Sequence, residues 1–167
     1  MGRSIGTGGA SYLAGHRNVP MLVLMSPFDS IKNVASGWVG CIGCLVKQHF
    51  DNLEEIVKFT GKLLVIHGEA DEVIGVNHGK NLVKTYEMQN PYKEVAKKVY
   101  PHRMSHNSFD MDDDIIRPMR NFIKSVNSEW VNTFDNMSYS HIFCYFGVDF
   151  ENEGWIKGRS DGTIQVI

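Results

Sequence analysis

The chain has 167 residues, 43% of them hydrophobic and 22% charged, which is the composition of one ordinary globular domain. A formal net charge of −2 gives no pull toward nucleic acid or an anionic membrane surface, so no nucleic-acid partner is expected. No apolar run reaches bilayer length and Met1-Gly2-Arg3-Ser4 has no signal-peptide character, so the chain is expected to be cytoplasmic.

The first feature in chain order is Gly2-Arg3-Ser4-Ile5-Gly6, which fits the G-x-S-x-G pattern of a nucleophile elbow. In such an elbow the serine sits on a tight turn between strand and helix. Side chains two residues to either side would collide, and glycines relieve the collision. The helix that follows points its N-terminus at the serine, so the backbone N–H of Ile5 can donate to an oxyanion. Gly2 also invites an N-myristoylation reading, but Gly6 stands where that motif needs Ser or Thr. The small residues from Gly6 to Ala14 suit a helix packed closely on its neighbours.

Met21–Met25 is a continuous apolar run, as in a strand buried on both faces of a parallel sheet. Cys41 and Cys44 form a C-x-x-C, but no second ligand pair exists for a zinc site. With Cys144 they make three cysteines, too few and odd for a disulfide framework. They read as small apolar residues on a helix, and nothing supports lipid attachment to them. The stretch from Ser30 to Thr60 reads as helical in pieces, with Glu54, Glu55 and Lys58 on a solvated face.

Leu63-Leu64-Val65-Ile66 is a second buried strand, followed by the polar loop His67-Gly68-Glu69-Ala70-Asp71. Catalytic groups in open α/β sheets gather at the carboxyl ends of strands, so Asp71 is placed to orient a histidine. Val76, Leu82, Val83 and Tyr86 suggest a helix, and Val95 to Tyr100 a weaker third strand. The loop after that strand holds His102 and His106, and a histidine there can act as general base toward a serine hydroxyl. His106 is the first choice, His102 a close rival, and His67 a third histidine at a strand end.

Ile115, Ile116, Met119, Phe122, Ile123 and Val126 form a stripe at helical spacing. Asp112, Asp113 and Asp114 precede it, and the helix dipole accounts for them without a metal. Residues 128–167 carry Trp130, Phe134, Tyr139, Phe143, Tyr145, Phe146, Phe150 and Trp155 without a clean period. The expected division is therefore an α/β unit over 1–127 and a C-terminal extension over 128–167. The α/β unit should hold a mostly parallel sheet of about three strands flanked by helices. The order Ser4, Asp71, His106 is that of α/β-hydrolases and not of the two unrelated serine protease folds.

Gly2-Arg3-Ser4-Ile5-Gly6-Thr7-Gly8, Ser26-Pro27-Phe28-Asp29-Ser30-Ile31, Ile66-His67-Gly68 with Asp71-Glu72-Val73-Ile74, and Ser105-His106-Asn107 together resemble one family. It is the α/β-hydrolase domain-containing group of serine hydrolases that includes protein depalmitoylases. The similarity runs from Gly2 to about Val126 and implies the C-terminal part of an α/β-hydrolase fold. It implies Ser4 as nucleophile, Asp71 as acid and His106 as base, and nothing in the sequence suggests a metal or organic cofactor. The partner it implies is an acylated protein or a small acyl ester, in particular a palmitoyl-cysteine thioester.

Departures from the family pattern carry further expectations. Asp29 stands where family members usually have Thr, and so offers a second acid near the site. Ser105 stands where Gly is common. The family's N-terminal cysteine cluster, its membrane anchor, has no counterpart, so membrane association is not supported. The strand that feeds the serine and the His-Gly loop that supplies a second oxyanion N–H are expected to be missing. That would leave Met21–Met25 with an unpaired apolar edge and would cost about 10²–10³ in turnover for the lost donor alone. An inactive fragment, or an interaction module built on the same fold, is the alternative reading.

Overall fold

The computed structural model describes residues 1–34, 51–90 and 96–136, with the backbone of 156–158 and 163–166. Cys41, Cys44, Cys144 and the aromatic residues from Tyr139 to Trp155 lie outside the described residues. In chain order the elements are β1 (Gly2–Arg3), α1 (Gly6–His16), β2 (Met21–Met25), α2 (Asn52–Ile56), β3 (Lys62–Ile66), α3 (Asn77–Gln89), β4 (Lys97–Val99) and β5 (Ser108–Asp110). A π-helical turn (Met111–Ile116) leads into α4 (Arg117–Val126), followed by α5 (Trp130–Asp135), β6 (Ile156–Gly158) and β7 (Thr163–Val166).

β1 to β4 form one parallel sheet in the order β1-β2-β3-β4. The two apolar runs are its central strands, paired from Met21 with Lys62 to Met25 with Ile66. Side chains alternate across a strand, and here both faces are covered. Leu22, Leu24, Leu63 and Val65 meet Ala14, Ile56, Phe59, Leu82, Val83 and Tyr86 on one side. Val23, Met25, Leu64 and Ile66 meet Met104, Phe109, Ile115, Met119, Phe122 and Phe134 on the other. That double burial explains why these strands read as unbroken apolar runs.

The structure corrects one expectation. The strand feeding Ser4 is present over its last two residues, which pair Gly2 with Leu24 and Arg3 with Met25. The ladder continues through Ser4 N–H to the Met25 carbonyl at 3.0 Å. The carboxyl end of β2, where the serine turn needs support, therefore has a partner on this edge.

α1 lies close on its neighbours, as its small residues imply: Thr7, Gly8, Ser11 and Ala14 are buried. A Cβ on Gly15 would come within 3.0 Å of the Glu55 carbonyl in α2. Asp110 caps the π-helical turn by accepting from Asp113 N–H at 2.7 Å, and Asp114 accepts from Asp110 N–H at 2.9 Å. The acidic run thus serves the start of a helix. The sequence does not announce the second sheet, in which β7 pairs antiparallel with β5 and β6.

Phe134 from α5 is buried against the face formed by Val23 and Leu64. Phe134→Ala is expected to destabilise the protein by about 3 kcal/mol, as for a buried aromatic in a core. A urea titration of the variant beside wild type measures it; a loss below about 0.5 kcal/mol, the range of ordinary surface changes, would detach α5 from the core.

Candidate active site

Three loops at the carboxyl ends of β1, β3 and β4 converge. Ser4 stands directly after β1 with φ 49°, in the left-handed region that a non-glycine residue enters only under constraint. Its carbonyl accepts from Thr7 N–H at 3.0 Å and from Thr7 Oγ1 at 2.6 Å. Asn52 in turn donates to Thr7 Oγ1 at 3.1 Å and to the Phe28 carbonyl at 2.7 Å. The elbow is thus held by α2 and by the loop after β2.

The two elbow glycines differ. A Cβ on Gly2 would lie 2.6 Å from the Gly6 carbonyl oxygen and 2.8 Å from Ala10 Cβ, so this position admits no side chain. A Cβ on Gly6 would meet nothing within 4 Å. The collision expected at both positions therefore arises at Gly2 alone, because it is Gly6's backbone that stands in the way.

Ser4 Oγ is 2.9 Å from His106 Nε2, and His106 Nδ1 is 2.8 Å from Asp71 Oδ2. A carboxylate can only accept, so Nδ1 carries the hydrogen and Nε2 is left as acceptor for the Ser4 hydroxyl. The other Asp71 oxygen accepts from Val73 N–H at 3.0 Å and Ile74 N–H at 2.8 Å. Burial pushes the Asp71 carboxyl up, but hydrogen bonds from His106, His67 and Ile74 N–H outweigh it and hold the group well below the usual carboxylate range. The group is a fixed anion at neutral pH. Its contribution to stability is present above the ordinary aspartate range, near pH ~4, and is lost as pH falls toward the lower folded value.

The rival residues fall elsewhere. His102 pairs with Glu69 at the surface, its side chain 88% exposed. His67 is fully buried behind the acid, donating from Nε2 to the Ile74 carbonyl at 2.7 Å. No hydrogen bond or ion pair joins Asp29 to His106 among the described residues. Asp29 accepts from Ser30 N–H, Asn33, His78 and Asn81. The second acid of the sequence is thus committed to a different cluster.

No family model matches the chain. Over 131 residues, 78% of its length, it is 30% identical to α/β-hydrolase domain-containing protein 17B of Homo sapiens, of which it covers 42%. Over 125 residues it is 30% identical to α/β-hydrolase domain-containing protein aho-3 of Caenorhabditis elegans, covering 73% of this chain and 34% of that protein. In fold it is similar to the acylaminoacyl peptidase of Pyrococcus horikoshii, with a TM-score of 0.57 at 9% identity over 78% of this chain and 23% of that one. The chain has part of an α/β-hydrolase fold and is similar to α/β-hydrolase domain-containing proteins. It spans well under half the length of these curated relatives.

Against this α/β-hydrolase frame, one residue near the site escaped the sequence reading. Arg3, the variable residue of the elbow motif, donates from Nη2 to the His106 carbonyl at 2.5 Å and to Asn107 Oδ1 at 2.9 Å. Its guanidinium also lies over the Phe109 ring, 5.9 Å from the centroid. It ties the serine turn to the loop that carries His106. A cavity of about 280 Å³ opens beside Ser4, lined by Ile5, Phe28, Ile31, Val34, Val73 and Ile74. Every lining residue except Ser4 is apolar. Among the described residues no group of three His, Cys, Asp or Glu side chains could hold a metal ion, and no helix is long and apolar enough to cross a membrane.

Proposed function

We propose that this chain carries the nucleophile, base and acid of a serine hydrolase that cleaves an acyl ester or thioester, with Ser4, His106 and Asp71 in those roles. The observation that carries the reading is the hydrogen-bonded relay from Ser4 Oγ through His106 to Asp71, at 2.9 and 2.8 Å. Ser4 Oγ attacks the acyl carbon as Nε2 of His106 takes its proton. Asp71 holds the imidazole in the required tautomer and stabilises the imidazolium. The Ile5 backbone N–H, at the N-terminus of α1, donates to the developing oxyanion. The leaving alcohol or thiol departs with the proton from His106, and water then repeats the sequence on the acyl-enzyme.

The apolar cavity beside Ser4 favours a hydrocarbon acyl group over a peptide or sugar. An S-acylated protein, palmitoyl-cysteine above all, or a small acyl ester is the corresponding substrate class, and the unit over 1–127 is the catalytic part. Purified protein treated with a fluorophosphonate probe should label at one site. Ser4→Ala and His106→Ala should both abolish labelling. A wild-type chain that takes no label would favour the inactive-fragment reading, and labelling that survives Ser4→Ala would overturn the assignment of the nucleophile.

A further inference from the structure

A second acid–base cluster, built on the buried carboxylate of Asp29, lies beside the first, and no hydrogen bond joins the two among the described residues. The Asp29 carboxylate accepts four hydrogen bonds. Two come from its own segment: Ser30 N–H at 2.6 Å and Asn33 Nδ2 at 3.0 Å. Two cross to α3: His78 Nδ1 at 2.7 Å and Asn81 Nδ2 at 3.1 Å. The Asp29 side chain is 4% exposed and that of His78 20%. A carboxylate this deep persists only if its lone pairs are filled. Burial pushes it up, but the donors from His78, Asn81 and Asn33 prevail and bring it to about 2.

What the cluster joins gives it a consequence. Phe28 and Ile31 flank Asp29 in sequence and, with Val34, form one wall of the cavity beside Ser4. Val73 and Ile74, just before the helix that carries His78 and Asn81, form another part of its wall. The Ile74 wall is fixed independently, by Asp71 on its N–H and His67 on its carbonyl. Phe28 is fixed through Asn52. Ile31 lies on the far side of Asp29 from that anchor, at the start of a helical segment, and Asp29 is what spans from its wall to α3.

We infer that the Asp29–His78–Asn81 cluster is a specificity-determining clasp that sets the spacing between these two parts of the cavity wall, and so the bulk of the apolar acyl group accepted beside Ser4. This inference rests on Ser4 being the nucleophile. These are positioning residues: none of them lines the cavity, and they act through Ile31 and Val34. A long acyl chain samples the wall spacing along its length, whereas an acetyl group does not reach that far.

The test is kcat/KM for p-nitrophenyl octanoate and p-nitrophenyl acetate, measured on wild type, Asp29→Asn and His78→Ala, with fluorophosphonate labelling of each. In both variants the ratio of octanoate to acetate should change by about tenfold, the worth of roughly one misfitted methylene in an apolar pocket. The change should lie mainly in KM, and Ser4 should remain open to the probe. His78→Asn, whose amide N–H can take the place of Nδ1–H, should restore the ratio. Equal losses on both esters in step with a lowered Tm would mean a merely structural ion pair and overturn the clasp, as would an unchanged ratio in His78→Ala, should Asp29→Asn not fold. Failure of wild type to label at Ser4 is a separate result, and removes the hydrolase reading on which the clasp depends.

Discussion

Asp71→Asn is expected to lower turnover by about 10⁴-fold while leaving the fold in place. The asparagine keeps an oxygen to accept from Val73 and Ile74 N–H. Its amide nitrogen then faces His106 Nδ1. Two donors cannot share that contact, so the imidazole moves its hydrogen to Nε2, and Nε2 can no longer accept from Ser4 Oγ. The same tautomer error in the unrelated serine proteases costs about 10⁴ in kcat. The check is the rate constant for fluorophosphonate labelling, with Tm beside it. A loss of less than tenfold at unchanged Tm would reduce Asp71 to a loop acid that happens to touch His106.

The parts legible in the sequence are those whose physics is local or repeated. β2 and β3 announce themselves because both faces of each are buried, so polar alternation vanishes. Ser4, Asp71 and His106 are legible because an elbow motif, two strand ends and a fixed chain order agree, although no one of them would suffice. Arg3 was illegible for the opposite reason. Its partners are a carbonyl and an amide more than a hundred positions away, and a backbone carbonyl leaves no trace in residue type. His78 was illegible because only the packing of α3 against the loop after β2 brings it to Asp29; in the sequence Asp29 looks like a rival to Asp71. The second sheet was missed because Ser108–Asp110 is three residues long and takes its partner from the far end of the chain. Gly6 shows the limit of a motif: the pattern names two glycines, while the geometry here demands only the first.

Gly68→Ala is the second substitution with a large expected effect, and it separates the two loops that must stay together. Gly68 belongs to the loop carrying Asp71, and Met104 to the loop carrying His106. A Cβ at Gly68 would sit 1.9 Å from the Met104 carbonyl oxygen and 2.6 Å from its carbonyl carbon. Both are backbone atoms, so no rotamer change relieves the overlap, and one loop must give way. The loops are joined there by Glu69 N–H to the Pro101 carbonyl at 3.0 Å and Ala70 N–H to the Met104 carbonyl at 3.2 Å. Moving them apart weakens both bonds and lengthens the His106–Asp71 contact. Overpacking of this kind costs up to about 3 kcal/mol, which for a chain of this size lowers Tm by roughly 6–12 °C. A displacement of about 1 Å at the reacting groups costs on the order of 10² in rate. Gly9→Ala is the control, since Gly9 is exposed within α1 and a Cβ there meets nothing within 4 Å. It should stabilise the protein by about 0.5–1 kcal/mol through helix propensity alone. If Gly68→Ala behaves like Gly9→Ala in both Tm and labelling rate, the acid-bearing and base-bearing loops are not held in register by this contact.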